Sequence, residues 1–303
     1  MKQALDSYLA VRRAAGFQLK KVERLLGSFV QFCSEQEKTH ICAQTAIEWA
    51  SQGSTVAQRV LRIQTVVHFA VYLRAEDPRH EIPPHDFFGS YHCRRRTPFI
   101  FQREDINQLV EKALQIGPSN SLKPHMYSTL FALLSVTGMR ISEALNLQLE
   151  DVTVDGLIIR NTKFGKSRLL PLHPSAAAGL ERYLLRRRHV AASVNNVFLS
   201  QHGKKLDYAT VRYQLQRLVR QLNLHVRAGQ PLPRTHDFRH SFATRSLLSS
   251  PEGRDMIARH MVALSTYLGH SNIQNTYWYL EATPELLTDI AAASECHFKG
   301  GSS

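Results

Sequence analysis

The sequence has few of the features that would place it among metal-binding or membrane-spanning proteins. Its four cysteines include no C-x-x-C pair, so a zinc site is not indicated. The longest uncharged apolar run, Met126 to Met139, is too short to cross a membrane and contains Ser, Thr and Gly. The N-terminal residues lack the pattern of a secretion signal, and we therefore expect a cytoplasmic protein with reduced thiols.

The motifs of nucleotide and metal chemistry are also incomplete. Residues 165–167 read Gly-Lys-Ser, like the end of a phosphate-binding loop, but the first glycine of that loop is replaced by Arg160. His80-Glu81 resembles the beginning of a metalloprotease helix, yet the next histidine, His85, comes one residue too late and two prolines intervene. Acidic residues do not cluster as a two-metal nuclease requires. We therefore expect neither a metal nor a cofactor.

Positive charge is what the sequence has in excess. The formal net charge is +13, and residues 1–97 contain 14 Lys and Arg against 9 Asp and Glu, with 24 against 16 in residues 98–303. Because both halves are basic, both could contact one long polyanion, as a clamp around a DNA duplex would. The alternative at this stage is a basic surface that binds no partner.

Hydrophobic periodicity predicts a mainly α protein with a small antiparallel β-sheet. Helical stripes in residues 1–76 indicate a helical domain, and the prolines and arginines of residues 77–98 are typical of an interdomain linker. Residues 99–303 form the predicted second domain. Its β runs lie in 151–172, where Asp155-Gly156 favours a hairpin. Its predicted helices are 103–116, 124–137, 175–190, 207–223, 236–249, 255–267 and 273–293.

Two short motifs of the second domain place basic groups three residues from a potential partner. In Thr137–Glu143, Arg140 follows a helix break, and Glu143 is positioned to pair with it on one helical face. In 236–240, His236 and Arg239 have the same spacing. Each motif alone is weak, because isolated arginines and histidines are more often structural than catalytic.

Further along, Leu268-Gly269-His270 places an imidazole at a turn, and Tyr279 follows nine residues later. The combination resembles the tyrosine recombinase (phage-type integrase) family from Arg140 to Tyr279, although the connection between Arg239 and His270 is somewhat long. The helical first region looks like the family's core-binding, DNA-clamping domain. The resemblance implies a catalytic domain with a C-terminal helical tail and the catalytic set Arg140, Lys163, His236, Arg239, His270 and Tyr279.

Several assignments have competitors in the sequence. Lys166 shares the predicted turn of Lys163, and Tyr277 and Tyr267 are alternatives to Tyr279 as nucleophile. We interpret Glu143 as an orienting residue. The arginines of the linker are either solvated or in contact with phosphate. The predicted DNA contacts are Arg94, Arg95, Arg96, Lys166 and Arg168.

The resemblance implies a site-specific recombinase or integrase that cleaves and rejoins duplex DNA through a 3′-phosphotyrosine, in the service of a mobile element. It also implies a homo-tetramer on DNA, which could assemble from monomers in solution with an accessory DNA-bending protein or a partner recombinase. The apolar tail beyond Tyr279 would dock on a neighbouring protomer. Two alternatives remain: a DNA-binding protein that no longer cuts, and a type IB topoisomerase or resolvase with the same chemistry.

Overall fold

Two compact units divide the chain, Met1–Arg96 and Thr97–Ser303, so the division lies within the predicted linker. The computed structural model describes residues 1–89, 96–160, 167–224, 232–249 and 254–269, with only the backbone for 254–258. In these ranges helices predominate, and the strands form a three-stranded antiparallel sheet. The predicted fold class is therefore confirmed. No helix in the described ranges is long and apolar enough to span a membrane.

The first unit is built from helices α1 (Lys2–Ala14), α2 (Lys20–Glu35), α3 (Ala43–Ser51) and α4 (Val56–Arg74). All four lie within residues 1–76, which hydrophobic periodicity predicted to be helical. Aromatic rings fix the packing: Phe29 lies 5.3 Å from Trp49, and Tyr8 lies 5.3 Å from Phe69, between ring centroids. All four rings are buried, so this unit has its own hydrophobic core.

The first half of the predicted linker is bound to the first unit. The backbone N–H of Ile41 donates to Nδ1 of His80 at 3.0 Å, and that of Glu81 donates to the carbonyl of Ile41 at 2.8 Å. The carboxylate of Glu81 accepts from the backbone N–H of Ala43 at 2.7 Å. Residues near position 80 are therefore fixed on the first unit, although their prolines and polar composition suggested a free connection.

The second unit begins with helices whose starts follow from local sequence. Pro174 occupies the first turn of α8, and the Asp207 carboxylate accepts hydrogen bonds from the backbone N–H groups of Ala209 and Thr210 at the start of α9. The helices are α5 (Arg103–Ala113), α6 (Leu122–Thr137), α7 (Ile141–Asn146), α8 (Pro174–Arg187), α9 (Tyr208–Gln221), α10 (Thr235–Leu248) and α11 (Arg254–Leu268), with a 3-10 turn at Leu149–Asp151. The predicted helix 273–293 lies outside the described residues.

The small sheet contains β1 (Val152–Thr153), β2 (Gly156–Ile159) and β3 (Arg168–Leu170) in sequential antiparallel order. The predicted hairpin at Asp155-Gly156 is present, with Val152 opposite Leu157. A Cβ on Gly156 would lie 2.3 Å from the carbonyl oxygen of Leu170, so only glycine fits there. The register places Leu157 opposite Leu170, and both side chains are buried in the core.

Helix α6 lies at the centre of the second core. The Phe131 ring stacks on Phe238 of α10 at 5.9 Å, and Phe238 stacks on Phe101 at 4.7 Å. The backbone N–H of Phe101 also donates to Oγ of Ser241 at 2.7 Å. These contacts fix α10, which carries His236 and Arg239, against α6, which ends two residues before Met139-Arg140.

Candidate active site

The helix break that carries Arg140 depends on a left-handed glycine. Helix α6 ends at Thr137, and Gly138 has φ +60°. A Cβ at this position would lie 2.5 Å from Cδ1 of Phe242, so a side chain is excluded by sterics as well as by backbone conformation. The chain then turns, and Arg140 precedes the first residue of α7.

Glu143 lies between two guanidinium groups. Arg140 donates to it from the backbone N–H at 2.9 Å and from Nη1 at 2.8 Å, which is the predicted pairing. Arg168 of β3 binds both carboxylate oxygens, at 3.1 and 2.8 Å. Burial by itself would raise the pKa of Glu143, but the hydrogen bonds from Arg168 and Arg140 outweigh it and hold the pKa below its usual value. The carboxylate is therefore ionised and fixed at neutral pH.

Arg239 joins the ends of two helices. Its Nη1 donates to the carbonyl of Gly138 at 3.0 Å, and its Nη2 donates to the carbonyl of Leu268, the last residue of α11, at 2.6 Å. The side chain is 1% exposed. Cations at helix C-termini interact favourably with the exposed carbonyls and with the helix dipole. Sequence spacing placed Arg239 on the same face as His236, but His236 is exposed, so neighbours in that pattern do not share the same environment.

His236 is accessible to solvent but has protein and positive charge around it. Its ring lies 4.6 Å from that of His240, nearly perpendicular to it. Desolvation lowers the pKa of His236 to about 4, with further lowering by the charges of Arg239, Arg234 and Arg140. His236 is therefore a neutral imidazole at neutral pH, able to accept a hydrogen bond or a proton.

The corner Leu268-Gly269 is the point where these side chains meet. Gly269 has φ +66°, and its carbonyl accepts from Nη2 of Arg140 at 3.2 Å. A Cβ on Gly269 would lie 2.9 Å from Nη1 of Arg168. Arg140, Arg168 and Arg239 thus all contact this corner, which immediately precedes His270 in the sequence.

The structure brings together part of the predicted site. Arg140 pairs with Glu143, and Arg140 and Arg239 both donate to backbone carbonyls of the corner Leu268-Gly269. The charges of both arginines lower the pKa of His236. Arg96 is half-buried at the end of the first unit. The predicted residues that lie outside the described ranges are Arg94, Arg95, Lys163, Lys166, His270 and Tyr279.

Arg168 makes a contact that the sequence did not predict. It was predicted to contact DNA, but its side chain is 13% exposed and pairs with Glu143. A signal was present: residues alternate across a strand, so Arg168 lies on the same side of β3 as buried Leu170, whereas Leu169 is exposed.

Tyr267, one alternative nucleophile, has an unfavourable environment. Its ring stacks on Phe242 with centroids 5.5 Å apart. Burial raises the pKa of Tyr267 in spite of the opposing charges of Arg168 and Arg239. Since a nucleophilic tyrosine must lose its proton, this environment disfavours Tyr267.

Comparison with known proteins identifies the chain. The model of the phage integrase family matches residues 100–285, which is more than half of the sequence. The chain belongs to the phage integrase family of tyrosine recombinases. The recombinase is 40% identical over 298 residues to the putative integrase/recombinase y4rB of Sinorhizobium fredii, with 95% of each chain covered.

The chain is also similar, at lower identity, to a further curated protein and to a solved structure. Tyrosine recombinase XerC of Pseudomonas savastanoi pv. phaseolicola is 27% identical over 300 residues, covering 92% of the recombinase and 91% of the relative. The solved structure of the Tn1549 transposon integrase in complex with transposon right end DNA has a TM-score of 0.63 at 18% identity, and covers 96% and 98% of the two chains. The predicted family and enzyme class are confirmed, and the roles of individual site residues stay predictions.

Proposed function

We propose that the recombinase cuts and rejoins duplex DNA at specific sites, with Tyr279 as the nucleophile and a 3′-phosphotyrosine as the intermediate. The observation that carries this proposal is the convergence of Arg140 and Arg239 on the corner Leu268-Gly269, directly before His270. Arg140 and Arg239, about a hundred positions apart in the sequence, therefore meet at the corner next to His270, the third residue predicted to contact the phosphate.

The chemistry follows from what a phosphodiester needs. Attack by the Tyr279 oxygen forms a P–O bond, and the bond from phosphorus to the 5′ oxygen breaks. Extra negative charge develops on the non-bridging oxygens, and guanidiniums such as that of Arg140 bind such oxygens while staying charged at any working pH. Preorganised donors of this kind contribute about 3 kcal/mol each to stabilisation of the transition state.

Two proton transfers complete the step. The hydroxyl of Tyr279, with an ordinary pKa of about 10, must lose a proton, and neutral His236 would accept it. The leaving 5′ oxygen must gain a proton, which Lys163 would donate, and His270 would donate a hydrogen bond to the phosphate. Proton transfer of this kind contributes roughly 10²–10⁴-fold to the rate. The phosphotyrosine keeps the energy of the broken bond, so the 5′ hydroxyl can reverse the attack and rejoin the strand without ATP.

The partner in this proposal is a double-stranded DNA recombination site. The net charge of +13 supports it, as do the DNA complexes of structural neighbours. Residues 1–76 would act as a core-binding domain and residues 99–303 as the catalytic domain, together clamping the duplex in the cytoplasm. Strand exchange would proceed in a homo-tetramer. The transposon integrase among the neighbours supports service to a mobile element.

Covalent trapping tests the proposal. Fragments of the DNA that flanks the recombinase's own gene are first tested for binding by gel shift. A fragment that binds is then prepared as a nicked duplex. It is incubated with the protein in EDTA and quenched with detergent. We expect an adduct with the wild type and with Tyr277→Phe, and none with Tyr279→Phe, although all three shift the duplex. Wild-type binding without an adduct would favour the non-cutting alternative, and an adduct with Tyr279→Phe would reject the nucleophile.

A further inference from the structure

Arg168 makes contacts that differ from those of a DNA-binding arginine. Both of its terminal nitrogens donate to Glu143, one to each carboxylate oxygen, at 3.1 and 2.8 Å. The two side chains are 13% and 8% exposed, so the pair is shielded from solvent. A bidentate pair between planar groups fixes orientation as well as distance. Nη1 and Nη2 both point at Glu143, so a phosphate could take their place in this pair only by displacing a largely buried carboxylate.

Glu143 transmits this constraint to Arg140. The Oε1 atom that accepts from Arg168 also accepts from Nη1 of Arg140 at 2.8 Å, and Oε2 accepts from the backbone N–H of Arg140. The carboxylate therefore fixes both the backbone and the guanidinium of Arg140. A change at Arg168 would free Glu143 to move, and Arg140 would move with it.

The same guanidinium packs against the corner that precedes His270. A Cβ on Gly269 would lie 2.9 Å from Nη1 of Arg168, so the glycine backbone and the arginine are in close contact. Arg168 is also the first residue of β3. The pair with Glu143 and the contact with Gly269 therefore fix the start of β3 against the corner.

We propose that Arg168 is a positioning residue for strand cleavage, which aligns Arg140 through Glu143 and packs against the corner before His270. It acts on the phosphate through these groups and does not bind DNA itself. This inference rests on the proposed function, since it assigns a task within the same cleavage site.

The test separates cleavage from binding. With the nicked duplex described above, the rate of adduct formation is measured at saturating protein for the DNA-bound fraction only, so unfolded protein does not contribute. Affinity is measured across a series of salt concentrations. For Arg168→Gln we expect the cleavage rate to fall by roughly 10²-fold, as for other misplacements of about 1 Å. The salt slope should stay at the wild-type value, whereas loss of a phosphate contact would lower it by about 1.

Further variants, including the single variant Glu143→Gln, define the mechanism. Arg168→Lys keeps the charge but not the two-pronged geometry, and should be impaired like Arg168→Gln. The double variant Glu143→Gln/Arg168→Gln should lose little more than the worse single variant, because the two residues act as one unit. Arg160→Gln is the matched control: it removes another arginine–carboxylate pair of the same unit, with Asp151, and should cleave at the wild-type rate.

The outcomes are distinct. Full cleavage by Arg168→Gln, rescue by lysine, or additive losses in the double variant would each overturn the positioning role while wild-type cleavage stands. A reduced salt slope with normal cleavage at saturation would return Arg168 to the DNA interface. If the wild type formed no adduct on DNA that it binds, the proposed function would fail, and this inference with it.

Discussion

Replacing Gly138 with alanine should destabilise the second unit strongly. Gly138 has φ +60°, and a left-handed conformation costs a residue with a Cβ about 1–2 kcal/mol. The new methyl group would lie 2.5 Å from Cδ1 of Phe242, and overpacking of this kind costs about 1–3 kcal/mol. We therefore expect a loss of about 2–5 kcal/mol in the free energy of unfolding. For a unit of this size that corresponds to a fall in Tm of roughly 4–20 °C.

Urea unfolding of the full chain, followed by circular dichroism and fitted with two transitions if the units separate, measures this loss. Gly179→Ala is the matched control, because Gly179 lies inside α8 and a Cβ there meets only Nη2 of Arg182, at 3.8 Å. Alanine at Gly179 should stabilise the unit by about 0.5–1 kcal/mol.

A double-mutant cycle with Phe242→Leu separates the two terms for Gly138. Removing the ring should recover the steric part and leave the backbone part of about 1–2 kcal/mol. If Gly138→Ala stayed within about 0.5 kcal/mol of the wild type, neither the left-handed turn nor the close approach would limit the stability of the corner. The reasoning given for that corner would then be refuted.

Three other outcomes follow from single residues. Arg239→Lys should lose several kcal/mol in the free energy of unfolding, because a lysine cannot donate to both carbonyls and each lost hydrogen bond costs about 1–3 kcal/mol. Arg212→Lys, at an exposed position of α9, should be neutral in urea unfolding, and equal effects of the two variants would contradict this. DNA binding should be coupled to the uptake of a proton near pH 5, because a bound phosphate raises the pKa of His236 from about 4. Calorimetry in buffers of different ionisation enthalpy measures this proton uptake, and an unchanged uptake in His236→Gln would assign the proton to another group. Burial, assisted by the charge of His40, lowers the pKa of His80, so below about pH 6.5 the unfolded chain binds more protons than the folded chain. The free energy of unfolding, measured in urea, should therefore fall as the pH drops below about 6.5, and an equal fall in His80→Asn would reject His80 as its source.

Much of the fold could be predicted from sequence because the helices have strong local signals. The predicted helix at 236–249 corresponds to Thr235–Leu248, and that at 207–223 to Tyr208–Gln221. Local signals failed where tertiary contacts determine the structure of a segment. The residues after Asp77 have a linker's composition, yet His80 and Glu81 bind the backbone at Ile41. Nothing within a few residues of these positions indicates such partners.

In the candidate site, too, local contacts could be predicted from the sequence and long-range contacts could not. The pair Arg140–Glu143 is a contact over three residues, which helical spacing predicts. Arg168 reaches Glu143 across 25 residues, and Arg239 reaches Gly138 across 101. Such contacts depend on how α6, α10 and β3 pack, so a motif search finds the residues without finding their partners.

The charges of the described site fit its proposed substrate. The guanidiniums of Arg140, Arg168 and Arg239 carry three positive charges, and Glu143 removes one. The C-termini of α6 and α11, whose terminal carbonyls accept from these arginines, contribute about −0.5 each. About one positive charge remains, which matches the single negative charge of a phosphodiester. In the transition state a second negative charge develops, so groups that bind it add stabilisation at that stage rather than in the ground state. Lys163 and His270 are the residues predicted to supply this additional stabilisation. His270 directly follows the corner that the three arginines contact.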